Sequence, residues 1–396
     1  MEAAACPHDR SDLSRPCPLF RVAAGRLNSL ALRLGLPVSR CDILGLLHRG
    51  DVHFDRLAEA IAIAESEVAV EMYQLVPDAV GVRVMIGLAA AADRGVRVRL
   101  LLDAWGSAGM APWLRRLRRR GVEARWYAPW RPWNSPTRRT HRKLVVVDGA
   151  CASIGGMNLT SQFSEEQRGR QAWRDVSLWL EGEAAAILAA QFEEAWRQNG
   201  GTPRPVPQRQ ASEAGGDRAI VVGGADGRHG HGDAYRALVD EARRELLIAN
   251  PYFMPGEGFR ARLVAAVRRG VRVVVVVPGR SDLPAFKHAA RRHFAALLRA
   301  GVEIWERRDR MIHAKVAVVD GSVAAVGSVN VNRRSFAGNS EALVLTDEPR
   351  VVDGLHGLVL GESLAAAEPF TAASWPRQAG RWRLAEALTV PVSVLF

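Results

Sequence analysis

THRKLVVVDGACASIGGMN (140–158) and IHAKVAVVDGSVAAVGSVN (312–330) are two copies of one phrase. His141, Lys143, Asp148 and Asn158 in the first are repeated by His313, Lys315, Asp320 and Asn330 in the second, each at an offset of 172. The chain has only 10 histidines, and of its 54 basic residues only Lys143, Lys287 and Lys315 are lysine. A single His-x-Lys-x4-Asp match therefore arises by chance at about 10⁻⁵ per position, and two in register mark an internal duplication. In a chain whose default cation is arginine, a lysine kept in each copy points to a site that needs a compact ammonium.

The wording around the motifs repeats as well. GVRVRLLLDAWGS (95–107) is answered by GVRVVVVVPGRSD (270–282), and GVEARWYAP (121–129) by GVEIWERRD (301–309). Runs such as LVVV (144–147) and VVVVV (273–277) are apolar throughout, as strands covered on both faces are, and helical stretches such as APWLRRLRRR (111–120) separate them. The expected fold is α/β: a duplicated α/β/α sandwich whose halves, each with a mainly parallel sheet, pack about a pseudo-twofold axis. The Pro-, Gly- and Gln-rich stretch 199–217 reads as a linker between a first domain over 46–198 and a second over 218–370. Residues 1–45 yield no functional reading, and 371–396, with two tryptophans and an apolar end, reads as an amphipathic segment suited to a membrane interface.

Composition bounds the partners. With 396 residues, 48% hydrophobic and 24% charged, the chain has the makings of a large core. Its four cysteines form neither a disulfide framework nor a CxxC pair. No stretch reaches the roughly 18–20 apolar residues of a spanning helix, so the expectation is a soluble or peripheral protein. A net charge of +12 favours partners that carry phosphate, either nucleic acid or an anionic membrane. The loop RWYAPWRPWNSPTRR (125–139), which interleaves tryptophan with arginine, suits headgroup level in a bilayer and would form the mouth of a site. His229 and His231, in a glycine-rich turn, fall short of a metal site.

On a strand, residues i and i+2 share a face, so each copy presents one imidazole and one ammonium together. Asp148 and Asp320 fall at the strand's end beside a turn, positioned to hold backbone donors. Gly155 and Gly156, and Gly327 with Ser328, let backbone approach a ligand closely, and Asn158 and Asn330 add amide donors. Displacement at a phosphodiester needs a nucleophile on one side of phosphorus, an acid on the leaving oxygen opposite, and positive donors around the remaining oxygens. Two half-sites facing each other supply all three without a metal.

These residues resemble the phospholipase D superfamily, and the wording of AVEMYQLVPDAVG (69–81), AWRDVSLWLEG (172–182), NPYFMPG (250–256) and NRRSFAGNSEALV (332–344) is similar to bacterial cardiolipin synthases. Asn332 departs from that pattern, which usually has Asp there. The resemblance implies phosphatidyl transfer between two phosphatidylglycerols, with release of glycerol, through a phosphatidyl-histidine. It implies His141 as the nucleophile and His313 as the general acid, although the sequence itself does not break the symmetry. It places in Asp175 and Glu341 the carboxylates that orient the histidines, each across the interface. It further implies anionic phospholipids and a membrane surface as partners, no metal or nucleotide cofactor, and a peripheral place on the cytoplasmic side of a bacterial cell membrane. Nucleic acid is not the expected partner. The alternatives are a hydrolase or other headgroup-exchange enzyme, and a nuclease of the same superfamily.

Overall fold

A computed structural model describes residues 25–129, 139–206, 216–223 and 230–371. Residues 130–138 of the aromatic loop, 207–215 of the linker, His229 and the C-terminal segment from 372 lie outside the described residues.

The first half runs α1 (Arg26–Leu34), β1 (Ser39–Leu47), α2 (Gly50–Ile63), β2 (Glu67–Met72), α3 (Ala79–Asp93), β3 (Arg97–Asp103), α4 (Ala111–Arg119) and β4 (Glu123–Tyr127). It continues with β5 (Lys143–Val147), β6 (Cys151–Gly155), α5 (Glu165–Arg168), β7 (Ser177–Gly182) and α6 (Glu183–Gln198). The second half repeats the plan: β8 (Asp217–Gly223), α7 (His231–Glu241), β9 (Glu245–Ala249), α8 (Glu257–Arg268), β10 (Arg272–Pro278), α9 (Pro284–Arg291), α10 (Phe294–Arg299) and β11 (Glu303–Arg307). β12 (Val316–Val319), β13 (Val323–Gly327), α11 (Arg333–Ala337), β14 (Ala342–Thr346), α12 (Pro349–His356) and β15 (Ala367–Pro369) follow.

All fifteen strands form one sheet, in the order β15-β11-β10-β9-β12-β13-β14-β8-β1-β7-β6-β5-β2-β3-β4. Apart from the added edge strand β15, the order is the same read outward from the β8–β1 junction in either direction. The duplication read from the motifs therefore extends to the whole topology.

Each half is less parallel than its apolar strands implied. Only β2-β3-β4 and β9-β10-β11 pair in parallel; β5, β6, β7 and β1, like β12, β13, β14 and β8, are antiparallel to their neighbours. The reason lies in the motif itself. β5 turns into β6 within residues 148–150, with Asp148 and Gly149 at φ 52° and 63°, and β12 turns into β13 through Asp320 and Gly321 at φ 50° and 60°. A parallel crossover needs a dozen or more residues, so turns this tight must make hairpins. Burial on both faces, which suggested parallel pairing, comes here from the helices that cover the sheet.

Residues 26–47 are also part of the fold. Leu27, Leu30 and Ala31 of α1 join the second half's core, Arg26 pairs with Asp320 at 2.7 Å, and β1 joins β7 to β8. Two cores belong to the separate halves, while a third is shared: Val146, Ala152 and Phe192 pack in one cluster with Val318, Ala324 and Leu355. That shared apolar cluster, with α6 and α12 in it, fixes how the two motif strands meet.

Candidate active site

Upstream of β5 and β12 the backbone crosses between halves. His141 N–H donates to the Ser340 carbonyl (2.8 Å), and Ser340 N–H to that of Arg139 (2.8 Å); His313 N–H donates to the Arg174 carbonyl (2.6 Å), and Arg174 N–H to that of Met311 (2.8 Å). Ser340 and Arg174 immediately precede Glu341 and Asp175, so each motif is tied to the other half's carboxylate. His141 Nδ1 lies 3.0 Å from Glu341 Oε2, and His313 Nδ1 lies 2.5 Å from Asp175 Oδ2. Both carboxylates are fully buried. At His141, where the Ser328 carbonyl also lies 3.0 Å from Nδ1, an Nδ1–H donated to these acceptors leaves Nε2 with its lone pair; at His313 an Nδ1–H donated to Asp175 does the same, with Lys315 Nζ against the ring at 2.6 Å from Nδ1 and 3.2 Å from Nε2.

The two anchors are not identical. Glu341 also accepts from Ser328 Oγ (2.5 Å), Ser335 Oγ (2.7 Å) and Asn339 Nδ2 (3.4 Å). Against burial, the charge and hydrogen bond of His141, then the Lys143 ammonium and the Ser328 hydroxyl, hold its carboxyl at about 2. Asp175 is also held below the usual carboxylate range, against the effect of burial, chiefly by the Lys315 ammonium 3.4 Å away and by His313. Burial pushes both imidazoles down. At His313 the neighbouring Lys315 ammonium pushes further, to about 3; at His141 the Glu341 carboxylate opposes the fall. Burial likewise lowers Lys315 to about 8 and Lys143 well below its ordinary value, helped at Lys143 by the charge of Lys315. The site thus works against its own positive charge, which is the electrostatic setting an anionic phosphate relieves.

His141, His313, Asn158 and Asn330 line one cavity of about 220 Å³. Lys143 and Lys315 lie just behind that wall, Lys143 Nζ donating to the His141 carbonyl (2.6 Å) and Lys315 Nζ contacting the His313 ring. The side-chain oxygens of Asn158 and Asn330 are buried without a partner, so both amides can reorient for a bound group. Arg142, between the histidine and lysine of the first motif, points the other way into a buried pair with Glu71, as strand alternation requires.

Two expectations change on contact with the structure, those for the glycines and for His231, while the motif aspartates hold backbone donors. Asp148 and Asp320 stand outside the cavity: Asp148 accepts from the N–H groups of Glu65, Ser66 and Glu67 at 2.7–3.1 Å, and Asp320 from those of Arg243, Arg244 and Glu245 at 2.7–2.9 Å. They clamp the turn of each motif to the start of β2 or β9. The glycines make room for protein neighbours: a Cβ on Gly156 would sit 2.2 Å from Asp175 Oδ1, and one on Gly155 or Gly327 2.1–2.2 Å from the backbone carbonyl of Val176 or Ala342. Ser328, standing where the first half has Gly156, supplies a hydroxyl to Glu341 instead of making room for it. His231 belongs to α7, not to a turn, and its Nε2 meets the Glu341 carbonyl at 3.0 Å.

Sequence reasoning gave no role to Tyr73 and Tyr252, whose rings lie 5.0 and 6.0 Å from those of His141 and His313, or to Trp173, 5.3 Å from His313. Arg334 and Asp282 also line the cavity unannounced, and so does Arg139, the last residue of the loop expected to form the mouth of a site. The signal for the tyrosines was their recurrence just after β2 and after β9. Asn332 caps α11, its Oδ1 accepting from Ser335 N–H at 2.9 Å, so it does a carboxylate's work in the cavity wall without adding negative charge.

Two mirrored seven-strand halves, crossed histidine–carboxylate pairs and a single cavity between them define a duplicated phospholipase D-like α/β protein. A family described as "Cardiolipin synthase, PLD-like domain" matches residues 57–196 and 235–357, and the chain belongs to it. It is 32% identical over 325 residues to the probable cardiolipin synthase YwiE of Bacillus subtilis, covering 78% of this chain and 64% of that protein. It is 32% identical over 333 residues to cardiolipin synthase B of Escherichia coli K12, covering 80% of each. The chain thus spans just under two-thirds of the Bacillus relative. Among solved structures it is similar to phosphatidylserine synthase of Haemophilus influenzae, with a TM-score of 0.67, 12% identity, and coverage of 92% of this chain and 99% of that one, a likeness of fold. Among the described residues, no helix is long and apolar enough to cross a membrane.

Proposed function

We propose that this chain is a phosphatidyltransferase of the cardiolipin synthase type, moving a phosphatidyl group from one phosphatidylglycerol to a hydroxyl of a second. The observation that carries the reading is the pair of crossed anchors, which leaves two imidazole Nε2 atoms to act on one bound group. One Nε2 attacks phosphorus as the bond to the glycerol oxygen breaks, and the other imidazole, protonated, gives that oxygen its proton. The second imidazole then takes a proton from the incoming hydroxyl, whose oxygen bonds phosphorus as the phosphorus–nitrogen bond breaks. Lys143, Lys315, Asn158 and Asn330 stabilise the phosphoryl oxygens. Asp175 and Glu341 hold the rings and stabilise the imidazolium that forms at each. Asp148 and Asp320 keep the two motif turns in place. The net charge of +12 and the lipid chemistry support a peripheral position on the cytoplasmic face of a bacterial membrane.

The test incubates purified protein in EDTA with labelled phosphatidylglycerol vesicles, beside His141→Ala and His313→Ala variants. Wild type forms diphosphatidyl lipid and glycerol, and neither variant does. Phosphatidic acid as the only product would overturn transfer in favour of hydrolysis. DNA cleavage in EDTA without lipid turnover would overturn the lipid reading.

A further inference from the structure

The cavity is lopsided in a way the duplicated motif does not require. At the offset of 172 that superimposes the motifs, Arg139 stands opposite Met311 and Arg334 opposite Gln162. Both arginines line the cavity, and both are joined to the segment that carries Glu341. The Arg139 carbonyl accepts from Ser340 N–H, while Arg334 Nε donates to Asn339 Oδ1 at 3.3 Å. Glu341 holds His141, so both arginines are tied to that histidine's side of the cavity, the Arg139 guanidinium donating to the Ala128 carbonyl at 3.1 Å and lying over the Trp105 ring. Tyr73, against the His141 ring, senses both: burial and the Asp103 carboxylate raise its hydroxyl, the charges of Arg334 and Arg139 oppose the rise, and Asp282 adds a smaller push upward from across the cavity. The opposite flank has another chemistry. Tyr252, beside the His313 ring, donates to Asp282 at 2.8 Å, and Leu283 and Phe286 continue that wall.

We propose that Arg139 and Arg334 bind a second phosphate, that of the acceptor molecule, and that the acceptor hydroxyl enters on the His141 flank. The inference rests on the phosphatidyl-transfer reading and adds to it how the acceptor is recognised. The group being transferred is served by the duplicated lysines and asparagines. An acceptor such as water or a plain alcohol needs nothing more, whereas an alcohol that itself carries a phosphate needs further fixed positive charge. Arginine supplies it with a planar fork that stays charged at any working pH. Asp282 disfavours the reverse orientation by repelling a phosphate from the other flank.

The polarity assigns the histidines. In an in-line displacement the leaving and entering oxygens lie opposite the nucleophile. His141 therefore donates its proton to the departing glycerol oxygen and later takes one from the acceptor hydroxyl. His313 Nε2 forms the phosphorus–nitrogen bond in the first step and loses it in the second. This reverses the order that the family resemblance implied. The surroundings agree, because burial and Lys315 keep the His313 ring neutral, with its lone pair ready for attack.

The experiment offers the whole protein labelled phosphatidylglycerol in micelles with glycerol and glycerol 3-phosphate in competition. Wild type favours glycerol 3-phosphate in kcat/KM by tenfold or more. Arg334→Gln, at a partly exposed side chain, lowers that ratio at least tenfold, Arg334→Lys restores part of it, and Arg139→Gln acts in the same direction if it folds. Acid-labile label from quenched wild type maps to the peptide bearing His313. Absence of preference in wild type, or an equal fall for both acceptors in Arg334→Gln, would overturn the subsite, and label on His141 would overturn the order of attack. Absence of exchange with either acceptor would instead contradict the parent reading of phosphatidyl transfer.

Discussion

Replacing Glu341 by Gln keeps the shape of the side chain and removes its charge. The carboxylate's two oxygens accept from four donors: His141 Nδ1, Ser328 Oγ, Ser335 Oγ and Asn339 Nδ2. An amide has one oxygen for this work, and its NH2 must face either the His141 side or the Ser335 side. Facing Ser335, the NH2 would meet the Asn339 NH2, which Arg334 keeps in place by donating to Asn339 Oδ1; facing His141, it is accepted only if that ring moves its proton to Nε2. In that tautomer the nitrogen facing the phosphate no longer has its lone pair, and an imidazolium has lost its counter-charge. A charge-assisted hydrogen bond contributes about 1.5–3 kcal/mol, and with 1.36 kcal/mol per factor of ten the lost bond alone slows turnover about 10- to 150-fold. The tautomer change adds to this, so kcat for diphosphatidyl lipid should fall at least ~100-fold, with a smaller change in KM. Nitrogen-detected NMR of the labelled imidazole should show the His141 proton moved to Nε2. A variant within threefold of wild type, with His141 unchanged, would refute the reasoning.

Three further outcomes follow from the same geometry. Gly156→Ala pushes a methyl into Asp175, so activity should be lost and stability should fall by about 1–3 kcal/mol in denaturant unfolding; near-wild-type turnover would show that Asp175 can move without cost. Asp148→Ala frees three backbone donors and leaves a residue at φ 52°, and should lower stability by about 2 kcal/mol while folded protein keeps most of its turnover; an equal loss per folded molecule would place Asp148 in the chemistry after all. The third outcome concerns acid. Between pH 6.5 and about 3 the unfolded chain holds a proton at residue 313 that the buried ring does not, so stability falls as pH falls through that window. Below 4.5 the Glu341 carboxyl, held at about 2, adds a second loss in the same direction. His313→Gln should flatten the first part by up to about 1.4 kcal/mol per pH unit, and parallel wild-type and variant curves would contradict the assignment.

The parts of this protein that were legible in the sequence are those written twice. His141 with Lys143 and His313 with Lys315 declared the duplication, the shared strand face and the facing half-sites. Asp175 and Glu341 were placed by family wording, but the donor set that separates them could not be read, because Ser328, Ser335 and Asn339 meet Glu341 only once β13, α11 and β14 are folded. Pairing direction was misread because an apolar run reports burial and not the direction of its neighbour; the two-residue signal Asp-Gly at 148–149 and 320–321 was the better guide. The glycines were read as ligand contacts because their true neighbours, Asp175 for Gly156 and backbone at the start of β7 and β14 for Gly155 and Gly327, come from chain well beyond the motif turn. Arg139 was legible only as the end of the loop 125–139, and Arg334 was hidden by composition: in a chain with 54 basic residues, nearly all arginine, one more carries no signal until a cavity collects it.

The central claim is that two half-sites make one catalytic unit, with one imidazole attacking while the other moves the proton. The most direct measurement is the stoichiometry of covalent label after rapid quenching with phosphatidylglycerol labelled at phosphorus. The account predicts at most one acid-labile phosphatidyl group per chain, on a single histidine, and none in a variant lacking that histidine. Two groups per chain, or full turnover with no label at any quench time, would contradict it.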